Sequence, residues 1–142
     1  MSDDSGGRLA RYKRPLCYVM GTFYVVAGLM HFVVPDTYAG VIPPQFPRPL
    51  ALAYFSGVAE VLLGVGVLVR QTRRYAAWGL IALLLAIFPA NVYMATEGIV
   101  VDAAPDGMES LARVGAWARL PLQGLLIAWA WWYTDPTLDP GA

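Results

Sequence analysis

The sequence predicts an all-α integral membrane four-helix bundle, and three observations predict it. Apolar residues make up 58% of the 142 residues and charged residues only 14%, against about 25% charged in a typical soluble domain. Mean hydropathy is high, at +0.52. The apolar residues gather into four runs, separated by stretches rich in proline, arginine or acid. The length allows one domain and no second core.

The first 15 residues form a basic segment carrying Arg8, Arg11, Lys13 and Arg14. The first run, LCYVMGTFYVVAGLMHFVV, covers 16 to 34. Its position after the basic residues resembles a signal peptide, but it is too long for an h-region and no small-x-small cleavage site follows. It reads as a retained helix with Pro15 in its first turn, where a missing N–H costs nothing. The second run, LALAYFSGVAEVLLGVGVLV, covers 50 to 69, and the third, YAAWGLIALLLAIFPANVYMA, covers 75 to 95. The fourth, WARLPLQGLLIAWAWWY, covers 117 to 133 and is the shortest. About 20 residues cross a bilayer as a helix, so three runs suffice and the fourth is marginal. None has the polar face that a soluble helix of this length needs.

Two connections differ in character. PDTYAGVIPPQFPRP, with five prolines, reads as a stiff cap. TEGIVVDAAPDGMESLARVGAW is longer and acidic, with a short surface helix expected at 107 to 115. Residues 134 to 142 read as an irregular cytoplasmic tail.

Orientation follows from the basic residues. The N-terminal segment has four, and the connection between the second and third runs adds Arg70, Arg73 and Arg74; the opposite side has Arg48, Arg113 and Arg119. The bias places both termini in the cytoplasm of a multi-pass cell-membrane protein. Tyr75 and Trp78, with Trp129, Trp131, Trp132 and Tyr133, then fall at the cytoplasmic interface, where aromatic rings are favoured. Equal numbers of basic and acidic residues, and no basic patch with interleaved aromatics, argue against nucleic acid as a partner.

Polar residues stand inside the runs: His31, Ser56, Glu60, Asn91, Arg119 and Gln123. Ionisable groups at this depth are costly, and they face a bundle interior or a wet cavity. At a rise of about 1.5 Å per residue, Glu60 lies about 15 Å into its helix, near the bilayer centre. His31 and Asn91 lie roughly 5 Å from the outer ends of theirs, and Gln123 roughly 9 Å in, with Arg119 a turn above. Side chains lean toward the N-terminus of their helix, so His31, Asn91, Glu60 and Gln123 converge in the outer half of one bundle. Small residues support close approach: Ala53, Ser56, Gly57, Glu60 and Gly64 share one face, and Tyr24, Ala27, Gly28 and His31 another.

Each residue has a plain reading beside the functional one. Asn91 and Gln123 serve either as interhelical glue or as ligand groups. Pro89 is a kink whose freed carbonyl at Leu85 is met by Gln123 or by water. His31 is either a structural hydrogen-bond partner or a ligand group. Glu60 at mid-membrane is a functional candidate by default, its burial eased by His31 or Arg119. Together His31 and Glu60 form a candidate proton relay. Cys17, the lone cysteine, reads as a small buried apolar residue and excludes a CxxC dithiol. One histidine and one glutamate are too few ligands for a closed zinc site, so no metal is expected.

The pieces AGLMHFVVPDTY, IPPQFPRP, SGVAEVLLG, the RR connection, GLIALLLAIFPANVYMA and RLPLQGLLIAWA follow one another over residues 27 to 130. In that order and spacing they resemble the DoxX family of small four-helix membrane proteins. The resemblance implies an integral membrane subunit, since relatives are associated with quinone-linked thiosulfate oxidation and membrane oxidoreductase complexes. Cysteine-bearing relatives carry redox cysteines; this chain has only Cys17.

The expected function is a small-molecule- or quinone-binding subunit of a membrane redox complex. The site is His31, Ser56, Glu60, Asn91, Arg119 and Gln123, with no covalently bound cofactor. No flavin, haem or iron–sulfur ligation pattern is present, so electrons would come from a redox partner subunit. Membrane lipid is the other expected partner, with room for a homo-oligomer. The alternatives are a scaffold or assembly subunit whose polar residues specify helix packing, and a small proton-coupled transporter.

Overall fold

The computed structural model describes residues 4–135, with side chains from Arg11 onward. The irregular tail expected over 134 to 142 lies, from residue 136, outside the described residues, as does the side chain of Arg8. Six helices follow in order: α1 (Asp4–Val33), α2 (Pro35–Gly40), α3 (Pro49–Leu68), α4 (Arg73–Thr96), α5 (Ile99–Asp102) and α6 (Glu109–Trp131). The described residues contain no strand. Three stretches are long and apolar enough to cross a membrane: Arg11–Val33, Pro49–Leu68 and Arg73–Thr96.

The outward faces agree with that. Phe55, Leu62, Leu85 and Leu125 are 60–72% exposed. In water such faces would be adhesive patches; against lipid they meet a matching solvent. The chain is a membrane protein.

Two helices depart from expectation at their starts. Pro15 is not in the first turn of α1 but inside it, because the helix runs back to Asp4. Leu9, Ala10, Arg11 and Lys13 are good helix formers, and Pro15 removes only one backbone bond from an exposed surface. The short helix expected at 107 to 115 is instead the first part of α6, which continues unbroken through Pro121 to Trp131. Leu111, Ala112, Arg113 and Ala116 favour helix throughout, and Gly115 alone does not stop it. At the start of α6 the Glu109 carboxylate accepts from its own backbone N–H and from that of Gly107, the latter at 3.1 Å. These bonds hold Glu109 below the usual carboxylate range.

The connections are tightly tied. Part of the proline-rich cap forms α2, with Pro35 in its first turn, and α2 lies on α3. Gly98 takes a left-handed conformation, φ 69°, to turn the chain from α4 into α5. Between α3 and α4, Thr72 Oγ1 donates to the Gly66 carbonyl at 2.8 Å and Arg73 Nε to the Val67 carbonyl at 2.9 Å. Both satisfy carbonyls that the end of α3 leaves free.

Packing is closest between α1 and α3, followed by α4 with α6 and α3 with α4. At the first interface the backbones touch. A Cβ on Gly28 would meet the Gly57 carbonyl oxygen at 2.6 Å, and one on Gly64 would meet that of Gly21 at 2.8 Å. The pairing of Gly28 with Gly57 and Gly21 with Gly64 makes α1 and α3 antiparallel. The main buried cluster joins Cys17, Met20 and Tyr24 of α1 to Val67, Leu80, Ile81, Ala130 and Tyr133.

Candidate functional site

The buried stripe of α3 is Ala53, Gly57, Glu60, Gly64 and Val67, at alternating spacings of four and three. Glycine at 57 and 64 draws α1 in, so a carboxyl at 60 meets the α1 face carrying Tyr24, Ala27 and His31. His31 is 6% exposed and Glu60 7%. Their nearest atoms, His31 Nδ1 and Glu60 Oε2, are 3.7 Å apart. The same Nδ1 is 3.1 Å from the Ala27 carbonyl. A carbonyl only accepts, so Nδ1 carries the proton, and in the neutral ring Nε2 is left as an acceptor.

At 3.7 Å the Nδ1–H does not make a hydrogen bond to Glu60. Glu60 Oε2 is buried without a hydrogen-bond partner, and so is the hydroxyl of Tyr24, close enough to Glu60 for its charge to act there. Tyr38 of α2 stacks on the imidazole, ring centroids 3.7 Å apart and planes inclined by 24°. Burial pushes the Tyr38 phenol above its ordinary range, with the Glu60 charge adding and Arg119 opposing. Tyr38 thus feels the charges of both the buried acid and the exposed Arg119. Ser56 lies half-buried a turn before Glu60.

Asn91 and Gln123 meet between α4 and α6. Asn91 Nδ2 donates to Gln123 Oε1 at 2.8 Å, and Gln123 Nε2 donates to the Leu84 carbonyl. The carbonyl met is therefore Leu84, not Leu85. Leu85 is 60% exposed and points outward, whereas Leu84 is 4% exposed and faces α6. Arg119 donates to Met94 Sδ at 3.6 Å, and no ion pair joins it to Glu60. The structure brings the four converging residues together as two pairs, His31 with Glu60 and Asn91 with Gln123. No hydrogen bond or ion pair among the described residues links one pair to the other.

The geometry holds an acid, a base with a free acceptor nitrogen, and a phenol in one cluster. Such a set can receive a small polar head with both donors and acceptors, and can hold or pass a proton. Among the described residues no group of three or more His, Cys, Asp or Glu is placed to hold a metal ion.

The family model described as Domain of unknown function (DUF8561) matches residues 20–134, most of the chain. The chain belongs to the DUF8561 family. No curated protein and no solved structure matches it. The DUF8561 match runs from Met20 through Tyr24, His31, Tyr38, Glu60, Asn91, Arg119 and Gln123 to Thr134. It therefore takes in both polar pairs and leaves out the basic N-terminal segment.

Three polar residues of this DUF8561 chain have roles that sequence reasoning missed. Lys13 and Arg73, counted as interfacial charges, are 3% and 9% exposed. Lys13 Nζ lies 5.6 Å from the centre of the Tyr133 ring and 5.9 Å from that of Trp132. Tyr133 donates to the Lys13 carbonyl at 2.7 Å, and Cys17 Sγ to that of Val67 at 3.2 Å. These bonds tie α1 to the ends of α3 and α6. Tyr38 was legible only as part of a proline-rich cap, since no periodicity joins it to His31.

Proposed function

We propose that this protein is a multi-pass cell-membrane subunit that binds a polar-headed small molecule, a quinone foremost, between α1 and α3. In this reading α1, α3, α4 and α6 form a four-helix bundle, both termini are cytoplasmic, and a redox partner subunit supplies the electrons. The observation that carries it is the buried pair of His31 and Glu60, with Oε2 unpartnered and Nε2 free to accept. The residues fit a quinone head. Nε2 accepts from a ring hydroxyl, and the Glu60 acid donates to a ring carbonyl or, ionised, accepts from a hydroxyl. Bound there, a quinone would supply two-electron, two-proton redox chemistry. Tyr38 shields the imidazole and orients it, and the surrounding apolar faces exclude water. The sequence resemblance to the DoxX family supports the same reading.

The test is organic extraction of the protein purified in mild detergent, with mass spectrometry of what comes with it. A quinone or other polar-headed ligand at a stoichiometric ratio, lost in Glu60→Gln, supports the reading. Bulk lipid alone in both samples removes it. A second reading, a non-catalytic assembly subunit, is favoured by the Asn91–Gln123–Leu84 set, whose groups are already paired with one another as packing glue would be.

A further inference from the structure

The polar groups along α1 are not continuous. We propose that the His31–Glu60 site exchanges protons with one face of the membrane only, the face that carries α2, and that Tyr24 is its blind end. The inference rests on the proposed binding role only in taking the pair as a proton-handling site.

The order along α1 is Lys13, Cys17, Met20, Tyr24, His31, all on its buried face. Tyr24 is separated from Lys13 by 11 positions, about 16 Å along the axis. That interval is filled by Cys17, Met20, Val67 and Leu80, each 0% exposed. Met20, Val67 and Leu80 offer no polar side-chain atom, and the Cys17 thiol is committed to the Val67 carbonyl. A close-packed apolar layer stays dry, and protons need water or a hydrogen-bonded chain to cross it. Beyond the layer, Tyr133 donates to the Lys13 carbonyl and Arg73 to that of Val67.

Toward α2 the situation reverses. Glu60 is followed by His31 and then by Tyr38 stacked on it, with the exposed Arg119 near enough for its charge to act on Tyr38. The titratable groups around Glu60 are Tyr24 and His31 from α1 and Tyr38 from α2, and the Arg119 charge of α6 reaches Tyr38. All but Tyr24 lie on the route to the α2 face. Protons taken up or released at the site therefore pass that way.

The experiment uses the full chain in phosphatidylcholine vesicles, in one orientation selected by a terminal affinity tag. Dicyclohexylcarbodiimide, which partitions into the membrane and attacks protonated carboxyls, is the probe, and modification of the Glu60 peptide is read by mass spectrometry. Glu60→Gln sets the background. Raising pH on the α2 side alone is expected to slow labelling, by about tenfold per pH unit once the acid titrates. Raising it on the other side alone is expected to change nothing. In Met20→Ser combined with Leu80→Ser, labelling is expected to answer to both sides. Wild-type labelling that follows the opposite side, follows both sides, or ignores pH on either overturns the proposal. One-sided labelling in a protein that carries no quinone would leave the sidedness standing and remove the quinone reading alone.

Discussion

Gly57 is the residue on which the site most depends without taking part in its chemistry. A Cβ there would lie 2.6 Å from His31 Cβ and 2.8 Å from the Gly28 carbonyl oxygen. These are backbone and stem atoms, so relief requires the helices to part. Gly57→Ala is expected to destabilise the protein by about 1–3 kcal/mol, as overpacked cores are, and to displace His31 from Glu60. Thermal unfolding in detergent checks it, with Gly115→Ala as the control. Nothing lies within 4 Å of a Cβ at Gly115, so that change is expected to be neutral or stabilising by up to about 1 kcal/mol. Equal losses in the two variants would mean that glycine at 57 does not set the approach of α1 to α3. The need for small residues on these faces was readable from their spacing of three and four. That His31 would close on Glu60 to 3.7 Å, under a Tyr38 ring, was not.

Between elements, the amide pair holds α4 to α6. Pro89 lies inside α4 two residues before Asn91, which donates to Gln123, and Gln123 in turn serves the Leu84 carbonyl. A double-mutant cycle of Asn91→Ala and Gln123→Ala is expected to give a coupling of about 0.6 kcal/mol and at most about 1.7, the range found for side-chain bonds between membrane helices. Additive losses, measured by unfolding in the same detergent, would show that the two amides do not stabilise each other. The motif FPAN with a glutamine on the last helix announced polar contact in the sequence. Which carbonyl received it depended on which side of α4 faces inward, and the exposure of Leu85 decided that. The start of α6 at Glu109 was likewise hidden, since its first turns read as a polar surface helix and only the continuous backbone joins them to the apolar part.

For the whole molecule, the proposed topology has a direct check. Single cysteines at Gln71, between α3 and α4, and at Asp106, between α5 and α6, fall on opposite sides of the proposed bundle. Cys17, buried and bonded to Val67, gives little background. An impermeant maleimide is expected to label Asp106→Cys in intact cells and Gln71→Cys only after lysis. The reverse pattern would put the termini outside and invert the bias of arginine and lysine on which the orientation rests. Lys13 and Arg73 belong to that count yet are buried, at the start of the apolar span Arg11–Val33 and of α4. Their burial leaves the charge count intact, because a basic side chain whose backbone sits at the end of an apolar span still marks that end.

By itself the sequence determined that this is a helical membrane protein with ionisable groups inside its apolar runs. Hydropathy over about 20 residues measures transfer into lipid, and that is a property of local composition. The tertiary structure alone decided how those groups pair: His31 with Glu60 under Tyr38, Asn91 with Gln123, and an apolar layer beneath Tyr24. Pairing depends on which faces of α1, α3, α4 and α6 meet and at what depth. Those are set by packing across the chain, which no local pattern encodes.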